Sequence, residues 1–344
     1  MPKTNSFGRI VAFKRTMKNK IAHFGGLICI LFLVTTNSVY SQSYTKVDDV
    51  IKSYPKSFSS PENLAAQINQ DFKAEDEKAR AIFTWIALNI RYDLNEYKSR
   101  RNDPAIAFSY RTEEEKNSKL QKFRLDLAKQ TLGSKKGVCQ GYAALFHTLC
   151  DLTGLKSMEI LGTSKSHPTA IGKLPTASDH AWNAVKIGDK WKFIDVTWAS
   201  GAVSNQTGKF VSKFNDAYFF TAPDIFFLNH FPDDVRFLQT NKTAADFANL
   251  PLYYGSYLQA TYEIVKPLNG VIKIPKSNII AFKILDLPET NKLSYVFSSE
   301  NKLNLVLPRR KANVSEFEIK IPNRSKGYLT ICVNNRSVVT YKLD

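Results

Sequence analysis

A change in hydrophobic pattern near residue 250 is the feature that most limits what this sequence can fold into. Before that point, apolar residues recur at the three- and four-residue spacing of amphipathic helices, and a pair of strand patterns follows the helices. After it, about eight short runs alternate apolar and polar residues between turn residues. This order predicts an α+β domain over residues 42–245, followed by an all-β sandwich of immunoglobulin-like type over residues 250–344.

The helices of the first part can be placed from their capping residues. Ser60 is a suitable N-cap, and Pro61 suits the first helical position. The charged stretch RTEEEKNSKLQKFRLDLAKQTL predicts a helix that faces solvent. The next helix is predicted to begin at Cys139 and to end at Gly154, which can adopt the left-handed conformation. Earlier in the chain, between the Pro61 helix and the charged stretch, EDEKARAIFTWIALNIRYD predicts a helix with apolar residues on one face: Ile82, Phe83, Ile86, Ala87 and Ile90.

Two alternating segments, HAWNAVKI and KWKFIDVTWA, predict a β-hairpin that turns at Gly188-Asp189. With a two-residue turn, Asp195 lies opposite Trp182, and His180 is its diagonal neighbour on the same face, about 7 Å away between backbones. A three-residue turn would place the two side chains on opposite faces. The polar stretch before the hairpin, from Gly162 to Asp179, predicts a long mobile loop that serves as a lid or a specificity element.

The N-terminus has the pattern of a secretory signal peptide over residues 1–41. Its first twenty residues carry six basic side chains and no acidic one, and the apolar run FGGLICILFLV follows. Val39 and Ser41 stand where a small-x-small cleavage site needs them, which predicts cleavage after Ser41. The apolar run is short for a membrane span, and an uncleaved membrane anchor is the alternative. The sequence therefore predicts a periplasmic or extracellular protein that meets the membrane only during export.

The chain is basic, with 48 Lys and Arg against 31 Asp and Glu and a formal net charge of +17. Six of the basic residues belong to the predicted signal peptide, so the mature chain stays basic. The remaining charge is scattered, without the arginine-rich block or basic-aromatic stripe that binds nucleic acid. No nucleic-acid partner is therefore expected, although charge alone favours anionic polymers such as those of a cell wall.

Three cysteines remain after the predicted cleavage, an odd number for an exported protein. Cys139 and Cys150 are about 16 Å apart along one predicted helix, at 1.5 Å per residue. A disulfide needs Cα atoms within about 7 Å, so these two cannot pair. Cys332 lies in a strand pattern and, like Cys150, is predicted to be a core residue. Cys139 is thus expected to be a free thiol.

A cysteine is a nucleophile only as its thiolate, and both a helix N-terminus and a neighbouring imidazole favour that form. Cys139 meets the first condition, although a buried core cysteine explains this stretch equally well. His180, at the start of a strand, is best placed to act as the base. Asp195 stands between Ile194 and Val196, and its side chain could orient the His180 ring.

The other residues near this chemistry receive structural interpretations. His147 is interpreted as a helix-surface or packing residue, His167 is assigned to the loop, and His230 is assigned to a turn. Gly141 lies one turn into the Cys139 helix, where glycine costs about 1 kcal/mol, so something must pack closely there. The glycines around Cys139 are interpreted as room for a substrate backbone.

Four segments of the sequence resemble, in chain order, the core of transglutaminase-like proteins, and they cover about residues 60–240. They are ARAIFTWIALNIRYD, GVCQGYAALFHTLCDLTGL, HAWNAVKIGDKWKFIDVTW and YFFTAPDIFFLNHFPDD. The resemblance is to the kyphoscoliosis-peptidase and cytokinesis-protein branch. It implies a papain-like core in which Cys139 is the nucleophile, His180 the base and Asp195 the residue that orients the base. Such cores include cross-linkers, deamidases, peptidases and inactive members.

Taken together, the sequence predicts a secreted cysteine enzyme that acts on a protein or peptide amide through a thioester. Hydrolysis is favoured over cross-linking, and a cell-wall peptide is one candidate substrate. No cofactor and no metal are expected. A zinc site built from Cys139, His180 and Asp195 is the chemical rival, but no second Cys or His stands at close ligand spacing. The alternative function is a catalytically inactive module of the same fold that serves adhesion or scaffolding by binding protein or glycan.

Overall fold

The computed structural model of the protein describes residues 44–100, 109–176, 178–204, 207–300, 302–322 and 326–344. The predicted signal peptide, residues 1–41, lies outside the described residues. Within the described ranges, none of the helices combines the length and the hydropathy needed to cross a bilayer. Ser43–Asp344 form one unit, which contains two large hydrophobic cores.

The helices begin where capping side chains can satisfy their first backbone N–H groups. The Ser60 hydroxyl accepts the Asn63 N–H and Pro61 is the first helical residue, as predicted. The ten α-helices of the described residues are α1 (Thr45–Lys52), α2 (Pro61–Asp71), α3 (Glu75–Asn89), α4 (Leu94–Arg100), α5 (Glu113–Ser134), α6 (Cys139–Thr153), α7 (Val196–Ser200), α8 (Pro223–Phe226), α9 (Ala244–Asn249) and α10 (Gly255–Leu258).

Helix α3 is buried on nearly all sides rather than on the single face that its spacing predicts. It packs against α1, α6 and α7, so that Trp85 on the other side of the helix is also buried. Arg80 and Thr84 are buried with it, and both side chains donate hydrogen bonds to the Asp48 carboxylate of α1. These contacts allow polar residues in a helix that lies inside the first hydrophobic core.

A five-stranded antiparallel sheet packs beside α6 in the first part of the chain. The nine strands that the structure describes in this part are β1 (Arg91–Tyr92), β2 (Lys136–Gly137), β3 (Ser157–Ser164), β4 (His180–Ile187), β5 (Lys190–Ile194), β6 (Gly201–Val203), β7 (Phe210–Ser212), β8 (Phe219–Thr221) and β9 (His230–Pro232). The strand order of the five-stranded sheet is β8-β5-β4-β3-β9. Two further two-stranded sheets pair β1 with β2 and β6 with β7.

Strand β3 shortens the loop that the sequence predicted. Gly162 is paired on both sides, with His180 of β4 and with Pro232 of β9. A Cβ at Gly162 would meet the Phe231 carbonyl and the Trp182 ring, so only glycine lets the strands come this close. The polar segment before β4 therefore begins after Ser164, and it contains a short 3₁₀ turn at Pro168–Ala170.

The chain after residue 250 forms the predicted two-sheet sandwich. Its ten strands within the described residues are β10 (Leu252–Tyr253), β11 (Glu263–Lys266), β12 (Val271–Ile272), β13 (Ile279–Leu285), β14 (Leu293–Phe297), β15 (Asn304–Val306), β16 (Arg309–Lys311), β17 (Val314–Lys320), β18 (Gly327–Val333) and β19 (Arg336–Leu343). One sheet has the order β10-β19-β18-β14-β15 with β12 beside β19, and the other has the order β11-β13-β17-β16. Buried residues of both sheets share the second core, where the Phe282 and Tyr341 rings lie 5.7 Å apart.

Two segments of the second part do not follow the strand pattern of the sequence. The run SYLQATYEIV predicts one strand, but its first four residues belong to the short helix α10 and the residue that follows it. The alternating runs predict no strand at Arg309–Lys311, yet this basic stretch pairs with β17 at the edge of the four-stranded sheet. Both segments lack a clear apolar alternation, so tertiary packing decides their conformation.

Candidate active site

Cys139 is the first residue of helix α6, as predicted. Val138 is the N-cap in extended conformation and provides no side-chain hydrogen bond to the helix. Cys139 therefore lies at the positive end of the helix dipole, a position that favours a negatively charged group. Gly154 ends the helix in the left-handed conformation. Cys139 is partly exposed, whereas Cys150 and Cys332 are buried, and all three are free thiols.

The glycines near Cys139 make room for the protein itself. A Cβ at Gly141 would collide with the Thr131 side chain of α5, and one at Gly137 would press on the same side chain. The interpretation of these glycines as space for a substrate backbone was therefore wrong. The sequence correctly indicated that something packs closely against Gly141, but the neighbour is a residue ten positions earlier in the chain.

The predicted hairpin has the predicted register. Ile187 pairs with Lys190 and Asn183 pairs with Ile194, which requires the two-residue turn. Strand β5 ends at Ile194, however, and does not continue through Asp195 as expected. Asp195 is instead the N-cap of α7, where its Oδ1 accepts the Trp198 N–H at 3.0 Å.

His180 and Asp195 are in direct contact inside the protein. The distance between His180 Nε2 and Asp195 Oδ2 is 2.7 Å, and the Asp195 side chain is fully buried. Because Asp195 engages Nε2, Nδ1 is the ring nitrogen left for a thiol. Trp198 stacks on the His180 ring with centroids 5.3 Å apart and planes 30° apart, which fixes the ring orientation.

The charges of this pair stabilise each other. Burial by itself disfavours the imidazolium, but the Asp195 charge and hydrogen bond, followed by those of Cys139, raise the pKa of His180 to about 10. Burial likewise opposes the Asp195 carboxylate, but His180 and His230 together hold its pKa well below its ordinary value. At neutral pH the side chains are therefore an imidazolium and a carboxylate.

His230 also belongs to this cluster, and its assignment to a turn was wrong. It lies in β9, paired with Ser164 of β3, and its side chain is fully buried. His230 Nε2 is 2.9 Å from Asp195 Oδ2, the same oxygen that binds His180. The available signal was the apolar run IFFLNHFP, because a histidine among so many apolar residues is buried and needs a polar partner.

The other two histidines of the described residues lie apart from this cluster. His147 is buried in α6 and its Nδ1 is 2.7 Å from the Ser157 hydroxyl, so the packing interpretation holds. His167 is exposed and caps the 3₁₀ turn through the Thr169 N–H.

A group of possible metal ligands also occurs here, and it differs from the zinc set that was the chemical rival of the catalytic interpretation. Among the described residues, His180, Asp195 and His230 bring one ligand atom each within 4.8 Å of one another. The rival zinc set contained Cys139 in place of His230. Both Nε2 atoms of the observed group lie at hydrogen-bond distance from one carboxylate oxygen, so ring protons account for the geometry.

Comparison with known proteins gives the following similarities. The sequence model of the transglutaminase-like superfamily matches residues 62–196. The kyphoscoliosis peptidase of Homo sapiens is 34% identical over 194 residues, which are 56% of this chain and 26% of that protein. The kyphoscoliosis peptidase of Mus musculus is 33% identical over 172 residues, 50% of this chain and 23% of that protein. The chain thus spans about a quarter of the length of these curated relatives. A crystal structure of a TGase is 19% identical with a TM-score of 0.28, covering 55% of this chain and 40% of that one.

Proposed function

The chain carries a domain of the transglutaminase-like superfamily at residues 62–196, and on that premise we propose that it is a cysteine enzyme acting on an amide of a protein or peptide. The observation that carries the proposal is the Cys139, His180 and Asp195 arrangement. The thiol is at a helix N-terminus, and its hydrogen bond and charge contribute to the raised pKa of a histidine that a buried carboxylate holds. This is the constellation of a nucleophile, a base and a residue that orients the base.

In the proposed reaction, the proton of the Cys139 thiol is already on the His180 imidazolium, and the Cys139 thiolate of this ion pair attacks the amide carbon. A new C–S bond forms, the C–N bond breaks, and the His180 imidazolium gives its proton to the departing amine. The product is a thioester on Cys139. Water then attacks the thioester while the neutral His180 ring takes one of its protons. A C–O bond forms, the C–S bond breaks, and the products are a carboxylic acid and the restored pair of Cys139 thiolate and His180 imidazolium. The Asp195 carboxylate stabilises the imidazolium in both halves of the reaction.

We propose hydrolysis rather than cross-linking as the second half-reaction. Water is abundant in the periplasmic or extracellular space to which the N-terminal segment would direct the chain, and the similar curated relatives are named as peptidases. The proposed substrate is a protein or peptide, with cell-wall peptides among the candidates. N-terminal sequencing of the exported protein tests the location, since cleavage after Ser41 is expected.

Thiol labelling tests whether the site is reactive. Iodoacetamide at pH 6 should label Cys139 faster than Cys150 and Cys332, whose thiol pKa values are raised by burial. Cys139→Ala should lose the fast label and His180→Ala should slow it, as peptide mass spectrometry would show. Labelling of Cys139 at the rate of an unfolded thiol, or an unchanged rate in His180→Ala, would contradict the proposal.

Product analysis tests the reaction. The protein is incubated separately with casein, with casein plus a primary-amine probe, and with peptidoglycan fragments, and the masses are read. Cleavage that disappears in Cys139→Ala supports hydrolysis. Incorporation of the amine without cleavage would overturn hydrolysis but retain the thioester. A reactive Cys139 with no product from any substrate would favour the inactive adhesion or scaffolding module.

A further inference from the structure

One oxygen of Asp195 is shared by two histidines, and the proposed reaction uses only one of them. We propose that His230 is a positioning residue, which holds the Asp195 carboxylate ionised and directed at His180 through its Nε2–H. The inference about rate rests on the proposed function, whereas the hydrogen bond itself can be tested without it.

The geometry assigns the ring proton of His230. Its Nε2 is 2.9 Å from Asp195 Oδ2, while its Nδ1 makes no hydrogen bond of normal geometry within the described part of the chain, apart from a polar contact with the Phe226 backbone. Burial, despite the opposing effect of Asp195, keeps the pKa of His230 below its ordinary value, so the ring is neutral at neutral pH. A neutral imidazole carries a single ring proton. That proton belongs on Nε2, where the carboxylate accepts it.

The packing around His230 leaves its ring no freedom. The Phe226 ring stacks on it with centroids 3.9 Å and planes 12° apart, and the Trp198 and Trp182 rings lie at 4.6 and 5.1 Å. The buried ring of Tyr218 lies at 6.3 Å. A phenylalanine would fill such an aromatic pocket without the cost of a buried nitrogen that makes no hydrogen bond of normal geometry. The contact that histidine adds to this pocket is the hydrogen bond to Asp195.

This bond matters because Asp195 is fully buried. The carboxylate accepts three hydrogen bonds, from His180, His230 and the Trp198 backbone N–H. Those from His230 and Trp198 come from groups that keep their charge during the proposed reaction. They hold the carboxylate in place while the His180 ring gains and loses its proton. Without His230, Asp195 is desolvated with one donor fewer and stabilises the His180 imidazolium less well.

The experiment compares three variants in the full chain. His230→Phe keeps an aromatic ring but removes the N–H, and His230→Gln restores an N–H at nearly the same distance from the backbone. His147→Phe is the matched control, because His147 is also a buried histidine but is bonded to Ser157. The readout is the rate of Cys139 alkylation by iodoacetamide from pH 4 to pH 9, which requires no substrate.

In His230→Phe the rate of Cys139 alkylation at pH 6 should fall about tenfold, which corresponds to the loss of about one hydrogen bond to a charged group. The acidic limb of the alkylation rate plotted against pH should move to higher pH. His230→Gln should recover much of the rate, and His147→Phe should match the wild type. If His230→Phe keeps the wild-type profile while the wild-type thiol is reactive, the inference about His230 is overturned and the proposed function stands. If the wild-type Cys139 reacts like an ordinary thiol, the proposed function fails instead.

A second measurement does not depend on a folded variant. Nitrogen-15 NMR of the histidine rings in the wild-type protein distinguishes a proton on Nε2 from one on Nδ1. An Nε2–H tautomer for His230, with a hydrogen-bonded ring proton, supports the assignment. An Nδ1–H tautomer or a doubly protonated ring at pH 7 would overturn it, whatever the reactivity of Cys139.

Discussion

Thr131 of α5 occupies the space in which a side chain on Gly141 of α6 would lie. Gly141 is in the first turn of the helix that begins at Cys139, and a Cβ there would collide with the Thr131 hydroxyl. Thr131 is buried, so it cannot swing into solvent. The contact therefore sets how closely α5 approaches the start of α6, and with it the position of the thiol.

Gly141→Ala should lower the free energy of unfolding by about 1–2 kcal/mol, because overpacking against Thr131 exceeds the gain in helix propensity. Urea denaturation measures the change. Gly133→Ala is the control, since Gly133 is an exposed helical glycine with nothing within 4 Å of its Cβ position. The free energy of unfolding of Gly133→Ala should increase by about 0.5–1 kcal/mol. Adding Thr131→Ala should remove the penalty of Gly141→Ala, and additive effects of the two changes would contradict the contact.

Asp48 should be far more important to stability than its neighbour Asp49. The Asp48 carboxylate accepts two hydrogen bonds from the buried Arg80, at 2.8 and 2.7 Å, and one from Thr84. Asp48→Asn leaves the buried guanidinium with only the exposed Asp216 carboxylate, 4.0 Å away, as a counter-charge, which should cost about 3 kcal/mol. Asp49 pairs with Lys52 in solvent, so Asp49→Asn should change stability by less than about 0.5 kcal/mol. Equal midpoints of urea unfolding for Asp48→Asn and Asp49→Asn would show that the contact between Asp48 and Arg80 does not stabilise the fold.

Lys165 should stabilise the C-terminus of helix α9. Its buried Nζ donates to the backbone carbonyls of Phe247, Ala248 and Leu250 at 2.6, 3.2 and 2.8 Å. Burial lowers the pKa of Lys165 to about 7, but three acceptors require all three ammonium protons. Lys165→Met keeps most of the apolar stem and should cost about 2 kcal/mol. Lys173 is exposed, so Lys173→Met should leave the free energy of unfolding, measured by urea denaturation, almost unchanged. An equal decrease in both variants would contradict the role of Lys165.

The His180 pair should make stability depend on pH. The folded-state pKa of His180, about 10, is above the ordinary value of about 6.5, so the folded protein holds an extra proton between these values. The free energy of unfolding should therefore be highest below about pH 6.5 and should fall as pH rises towards 10, by at most about 1.4 kcal/mol per unit.

The measurement compares Cys139→Ser with Cys139→Ser/His180→Gln in urea at each pH, because the serine removes the titration of the thiol. The serine also removes the Cys139 contribution, so the pKa of His180 in the Cys139→Ser background lies below about 10 but stays raised by Asp195. The difference in the free energy of unfolding between the two variants should decrease as pH increases. A difference that stays constant from pH 6 to pH 10 would show that His180 gains no proton on folding. Lysine and tyrosine titrations are common to both variants and cancel.

The sequence by itself determined the features that depend on neighbouring residues. Ser60 and Pro61 placed the start of α2, Gly154 placed the end of α6, and the Gly188-Asp189 turn set the hairpin register. Each follows from a backbone preference that acts over a few residues. The position of Cys139 at a helix N-terminus is of the same kind. The α+β order and the β-rich second part followed from the same local periodicities.

Only the tertiary structure decided which distant residues meet. His230 reaches Asp195 from a strand 35 residues later, and Thr131 meets Gly141 from another helix. Asp195 could be placed beside His180 by register, but its role as the N-cap of α7 depends on the end of β5. A histidine or a glycine in the sequence shows that a neighbour is required. Which residue becomes that neighbour depends on how the chain segments pack. Buried polar groups must be hydrogen-bonded and the interior must be closely packed, and both conditions are met by residues that are distant in the sequence.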